Sequence, residues 1–206
     1  YGYVPTPLSI FKNIYKLSPG AYIQLNHSEL KNPNSKIVEK RYWNYNSRYN
    51  NLKNSLANQE DNKLINKLDV LINQSVERQM ISDVPLGAFL SGGIDSSLIC
   101  SIMQKHSNIP VRTFAIGFKE RGFDEAIYAK KVAHYLGTDH TELYVSPDDA
   151  LSVIPKITSI YDEPFSDPSQ IPTFLVSKLA KKDVTVSLSG DAGDELFAGY
   201  TRYTLA

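Results

Sequence analysis

Between residues 61 and 76, apolar side chains recur every three or four positions: Leu64, Ile65, Leu68, Leu71, Ile72 and Val76. That period places them on one face of a helix, so the pattern predicts a helix over residues 61–82 whose stripe packs on a core. Asp61 or Asn62 offers a starting cap, and Pro85 lies just past the end. Beyond residue 82 the rhythm changes. Short apolar runs predict strands at LGAFLS (86–91), VRTFAIGF (111–118), HTELYV (140–145) and VTVSLS (184–189). Between them, helices are expected over 95–106, with Leu98, Ile99, Ile102 and Met103 on one face, over 147–161 after Pro147, and over 173–182. Another runs from a cap at Asp124 to Leu136, where Gly137 supplies a left-handed stop. A last helix begins after GDAGDE. Strands alternating with helices through short links are the signature of an α/β fold, a parallel sheet wrapped by helices.

The first part of the chain reads differently. Residues 1–45 carry strand-like and turn-like stretches, PGAYIQL and KRYWNY, dense in Tyr and Pro. They hold too little apolar material to stand as a domain alone. Residues 46–60, NSRYNNLKNSLANQE, are Asn-rich and weakly periodic, which reads as a linker. Residues 61–206 then form the main domain. The chain opens at Tyr1 and ends just past GDELFAGYTRYTLA, at a helix barely begun. It is therefore expected to be a piece of a longer polypeptide, with its main domain truncated at the carboxyl end.

Composition narrows the function classes. Lys plus Arg (22) balances Asp plus Glu (22), which argues against a nucleic acid or a membrane surface held by bulk charge. No apolar run approaches the roughly 18 residues of a membrane span. The single cysteine, Cys100, excludes a disulfide framework and a thiolate metal site. It lies in LICSIM, where a small buried side chain is expected, and it fits a reducing cytoplasm. His27, His106, His134 and His140 show no metal-ligand spacing and are expected to be structural or solvent-facing.

The stretch LSGGIDSS, Leu90 to Ser97, sits where a strand ends and a helix begins. In open α/β sheets ligands bind beyond the carboxyl ends of the strands. Backbone N–H groups at a helix start lack internal partners, and the dipole there favours anions. Gly92 and Gly93 let a ligand approach the backbone with no Cβ in the way, so a bulky side chain at Gly92 is expected to block it. Ser91, Ser96 and Ser97 add hydroxyl donors. The combination suits phosphate oxygens. Walker A and GxGxxG patterns both fail here, and Phe89 stands where a nucleophile elbow needs its first glycine. Asp95 would repel phosphate unless a cation intervened, which makes it a natural Mg²⁺ ligand. A second loop, SLSGDAGDELFAGY (187–200), repeats the theme at another strand end. If both loops face one ligand, Asp194 becomes the second Mg²⁺ ligand. Ser189 and Gly190 then touch the nucleotide, and Asp191 meets substrate or water.

SGGxDSS resembles the pyrophosphate loop of ATP pyrophosphatases, which implies a Rossmann-like fold of the adenine nucleotide alpha hydrolase kind, incomplete in this chain. More specifically, DVPLGAFLSGGIDSS (83–97), FAIGF (114–118), YDEPFSDPSQIPT (161–173) and LSGDAGDELFAGY (188–200) resemble glutamine-hydrolysing asparagine synthetases. IFKNIYKLSPGAYIQL and KRYW look like the end of that family's glutaminase domain. The resemblance implies Leu90 and Ile116 against the nucleotide, and Ser91, Gly92 and Gly93 on pyrophosphate. It further implies Ser189 and Gly190 at ATP, Asp95 and Asp194 on magnesium, and DEPFSDPS bordering the acceptor site. The implied cofactors are ATP and Mg²⁺; the implied substrates are ATP, aspartate, and glutamine or ammonia, in a cytoplasmic enzyme that forms a homodimer. The family's glutaminase cysteine and its amide-forming lysine have no counterpart in these residues. The chain is therefore expected to bind ATP–Mg²⁺ without completing the reaction.

Overall fold

The structure, a computed structural model, describes residues 2–32, 37–118 and 125–203. It divides into two compact units, Tyr1–Asn66 with Thr158–Asp167, and Lys67–Ile157 with Pro168–Ala206. No helix among the described residues is long and apolar enough to cross a membrane.

In the amino-terminal unit, β1 (Ala21–Tyr22) pairs antiparallel with β2 (Lys40–Arg41), and α1 (His27–Lys31) lies between them in sequence. The expected linker folds instead as a helix, α2 (Tyr45–Leu56). Asn44 accepts a bond from the Ser47 N–H and caps its start, and no Gly or Pro interrupts it. Tyr45, Tyr49, Leu52 and Leu56 fall on one face of it, though none of its residues is buried. Lys16 is ion-paired with Glu163 and also donates to the Val4 carbonyl at 2.7 Å.

The second unit holds four parallel strands, β3 (Leu86–Phe89), β4 (Arg112–Phe118), β5 (Asp139–Val145) and β6 (Val186–Leu188), in the order β5-β4-β3-β6. Its helices are most of α3 (Asp61–Gln79), then α4 (Ile94–His106), α5 (Ala126–Leu136), α6 (Pro147–Leu151), α8 (Gln170–Ala180) and α9 (Gly193–Phe197); α7 (Ile157–Ile160) straddles the two units. The pleat sends neighbouring residues to opposite faces. Ala115 joins a cluster with Cys100, Met103 and Ala129 from α4 and α5, while Phe114 joins one with Val176 and Leu179 from α8. Helices thus cover both faces, as the alternation of elements implies. β3 passes to β4 on one side, while β6 lies on its other side. The strand order therefore reverses between β3 and β6, and a crevice opens at their carboxyl ends.

Local departures have local causes. α3 stops at Gln79, where the Met80 N–H is shared between the Val76 and Glu77 carbonyls. Of its stripe only Val76 is buried and Ile72 packs on the core; Ile65, Leu68 and Leu71 are exposed. The stripe therefore meets the core only near its end. The helix expected over 147–161 is broken into α6, a 3-10 turn at Ile154–Lys156 and α7, because Pro155 has no N–H to continue the ladder. α8 starts at Gln170 and takes Pro172 within its first turn, where a missing N–H costs nothing. Asp124, the expected cap of α5, lies outside the described residues. Gly137 ends α5 at φ +71°, its N–H bonded to the Ala133 and His134 carbonyls.

Cys100 is fully buried, and burial pushes its thiol up to about 12. His140 is nearly enclosed, with Nδ1 2.9 Å from Thr113 Oγ1 and Nε2 3.7 Å from Glu142 Oε1, which Lys130 Nζ approaches at 3.3 Å. Burial holds its pKa below the usual 6.5; Glu142 opposes the shift and Lys130 reinforces it. A base with a depressed folded-state pKa binds fewer protons folded than unfolded, so the fold is at full strength above about pH 6.5 and loses stability as pH falls below it. Thermal melts from pH 7.5 to 5 are expected to show this slope, and His140→Gln is expected to flatten it.

Candidate nucleotide site

β3 does not simply stop at Phe89. The Leu90 N–H donates to the Phe114 carbonyl at 2.9 Å, so pairing with β4 carries on into the loop and buries Leu90. The chain then turns through Gly92 at φ +84°, in the left-handed region. A Cβ there would lie 2.6 Å from the Ala129 N and 2.7 Å from the Tyr128 Cβ. Close packing on α5 therefore requires a glycine here, whether or not a ligand approaches its backbone. Gly93 is the N-cap of α4 and does line the cavity described below. Gly92→Ala is expected to cost about 1–3 kcal/mol of stability, from backbone strain plus backbone overlap. Urea denaturation measures it.

The serines shape the loop before they can meet any ligand. The Ser91 and Ser96 hydroxyls are 3.0 Å apart. The Ser91 N–H donates to Ser96 Oγ at 3.2 Å, and the Gly93 N–H donates to Ser91 Oγ at 3.2 Å. Ser96 is buried, and its Oγ also donates to the Gly93 carbonyl. The Ser97 hydroxyl is buried without a hydrogen-bond partner and lies outside the cavity lining.

The second loop leaves β6 on the other side of the switch point. Ser189 Oγ donates to Asp191 Oδ2 at 3.0 Å, which folds the turn. Ala192 (φ +71°) and Ala198 (φ +57°) flank α9 in the left-handed region, each costing about 1 kcal/mol in a residue with a Cβ. Two glycines, Gly190 and Gly193, let this loop close on the first, and a third, Gly199, lets it fold on itself. A Cβ on Gly190 would sit 2.7 Å from the Ser96 N and 3.0 Å from the Asp95 Cβ. One on Gly193 would overlap the Asp95 carboxylate, and one on Gly199 would overlap the Asp194 carboxylate. Asp95 is therefore seated on the residue that precedes Asp194.

Both loops line one cavity of about 690 Å³. Ser91, Gly93, Asp95 and Ser96 come from the first, and Ser189, Gly190, Asp191 and Asp194 from the second. Leu90, Phe114 and Ile116 give it an apolar wall. Of the anticipated residues, Gly92 and Ser97 are not among those that line it. Sequence reasoning missed Glu125, Thr173 and Val176, which also line it. Thr173 closes the quoted YDEPFSDPSQIPT stretch, but nothing in the residue pattern singled out Glu125. Glu163, in the same stretch, is engaged by Lys16.

Every ionisable side chain lining the cavity among the described residues is an acid: Asp95, Glu125, Asp191 and Asp194. A phosphate ligand would need a cation to enter. The donor set fits Mg²⁺. Asp95 and Asp194 supply hard oxygens, and no basic side chain among the described residues pairs with them. No group of three or more His, Cys, Asp or Glu side chains converges among those residues either. A divalent ion here would complete its shell with phosphate and water, which is the Mg²⁺ habit.

Comparison with known proteins agrees with the motifs. The asparagine synthase family profile matches residues 67–206. The glutamine-hydrolysing asparagine synthetase 1 of Bacillus subtilis is 37% identical over 203 residues, 98% of this chain and 30% of that protein. A putative glutamine-hydrolysing asparagine synthetase 2 of Methanocaldococcus jannaschii is 39% identical over 200 residues, 97% of this chain and 36% of that protein. The chain spans about a third of the length of these relatives. Among solved structures, an NH3-dependent NAD synthetase from Campylobacter jejuni aligns at TM-score 0.44 with 14% identity, over 66% of this chain and 60% of that one, a likeness too slight to build on. The sequence match runs through both loops and all four strands of the parallel sheet, and the chain belongs to the asparagine synthase family.

Proposed function

We propose that this chain carries the nucleotide-activating part of an ATP-dependent amidation that turns aspartate into asparagine. The observation that carries the reading is the meeting of two strand-end loops at the switch point, with the Asp95 carboxylate seated against Gly193 beside Asp194. In the proposed reaction the side-chain carboxylate of aspartate attacks the α-phosphorus of ATP. The bond to the bridging oxygen breaks, pyrophosphate leaves, and β-aspartyl-AMP remains. Ammonia then displaces AMP to give the amide.

The chain's own groups meet the demands of the first step. The unpartnered N–H groups at the start of α4, with Gly93 as its open cap, offer donors to the departing pyrophosphate. Ser189 and Gly190 support the α-phosphate side, and Leu90 and Ile116 wall the base. Asp95 and Asp194 would hold Mg²⁺, which when bound neutralises charge on the phosphates. Asp191, exposed and tied to Ser189, lines the same cavity and would meet the acceptor or ammonia. Cys100 is no glutaminase nucleophile, since burial keeps it a thiol. Nitrogen from glutamine would therefore be released elsewhere in the full-length protein, whose glutaminase-type domain we take residues 1–45 to end.

The test is product analysis by mass spectrometry of the polypeptide in its full encoded length with ATP, Mg²⁺, aspartate and ammonia. AMP, pyrophosphate and asparagine are expected. ADP with phosphate would rule out the adenylate route. AMP formed only with another carboxylate would reassign the acceptor, and nucleotide binding without turnover would leave a non-catalytic binding module.

A further inference from the structure

We propose that Glu125 selects the nucleoside by accepting hydrogen bonds from the ribose hydroxyls. The inference rests on the nucleotide reading of the cavity. Glu125 lines that cavity, yet no step of the reaction above uses it. Its carboxylate has no hydrogen bond or ion pair with any described residue. Its backbone is fixed, because its carbonyl accepts from the Tyr128 and Ala129 N–H groups, each at 3.0 Å. That same turn of α5 packs against Gly92, so the carboxylate is carried on the frame of the first loop.

The chemistry narrows what it meets. A carboxylate accepts hydrogen bonds and cannot donate them. Placed against phosphate it would repel. The two loops with Asp95 and Asp194 already claim the phosphate end, and the apolar wall of Leu90, Phe114 and Ile116 suits the flat base. The sugar remains, and its vicinal hydroxyls present two adjacent donors that one carboxylate can accept together. The topology agrees. In dinucleotide-binding sheets an acid that follows the phosphate loop bonds the ribose 2′-hydroxyl. Here the order is first loop, α4, β4 and then Glu125, with β4 beside β3 on the side away from the switch point.

Calorimetric titration of the protein with ATP and with 2′,3′-dideoxy-ATP, both with Mg²⁺, tests this. Hydrogen bonds to a charged acceptor lead us to expect a preference for ATP of roughly ten- to a hundredfold. Glu125→Ala should erase the preference by weakening ATP alone, leaving the dideoxy affinity where it was. Glu125→Gln, which keeps one acceptor oxygen and the shape, should retain part of it. Equal binding of the two nucleotides by the unaltered protein, or a preference that survives Glu125→Ala, would overturn the assignment while leaving the site a nucleotide site. Binding of neither would overturn the nucleotide reading, and this inference with it.

Discussion

Asp95→Asn is expected to lower aspartate-dependent ATP cleavage by the full-length protein about a hundredfold or more, roughly 3 kcal/mol of transition-state stabilisation, with the melting temperature unchanged. Asn keeps the shape that fits against Gly193 and removes only the charge. The fold does not need that charge, because no basic side chain among the described residues pairs with Asp95. The nucleotide does need it, because the cavity offers phosphate four carboxylates and, among the described residues, no cation of its own. Loss of activity with loss of stability would mean that Asp95 is a helix-start acid serving the dipole of α4. Unchanged activity would remove it from the site altogether.

Gly190→Ala is the second large effect. The added methyl would meet the Ser96 N at 2.7 Å and the Asp95 backbone carbon at 2.9 Å. Both are main-chain atoms at the start of α4, so no side chain can swing aside, and the loops must part. Overpacking of this kind costs about 1–3 kcal/mol. Here the cost should fall mostly on the site, because the loops meet the core clusters only at Leu90 and Leu188. A rise of at least tenfold in the KM for ATP is expected, with a smaller change in the urea midpoint. Gly92→Ala should divide its effect the other way, toward stability, because its neighbours are in α5. Comparing the two glycines separates a residue that lets loops meet from one that anchors a loop to its helix.

Much of this was legible in the residues, for definable reasons. The alternation of strand and helix from residue 86 onward pointed to the parallel sheet, because each apolar run is short and some helices carry a marked end such as Gly137. LSGGIDSS and SGDAGDE could be placed at strand ends because the apolar runs stop immediately before them. Other features were beyond sequence reasoning. α2 does carry a sparse stripe, Tyr45, Tyr49, Leu52 and Leu56 at three- and four-residue spacing, but the asparagines around it mask that period. The stripe on α3 suggested more burial than occurs, since periodicity reports a face and not what covers it. The packing that requires a glycine at 92 was out of reach, because the approach of Tyr128 and Ala129 is a tertiary contact. Glu125 lies far in sequence from both loops, and only the order β5-β4-β3-β6 brings the end of β4 to the cavity.

The central claim is that Asp95 and Asp194 act on one ion at one nucleotide. The most direct measurement is the Mg²⁺-dependence of ATP affinity in a double-mutant cycle of Asp95→Asn and Asp194→Asn, read by calorimetry. Mg²⁺ should tighten ATP binding in the unaltered protein. Either substitution should abolish most of that gain, and the double variant should lose little more than each alone. Two losses that simply add, or a magnesium effect that survives both substitutions, would contradict a shared ion between the loops.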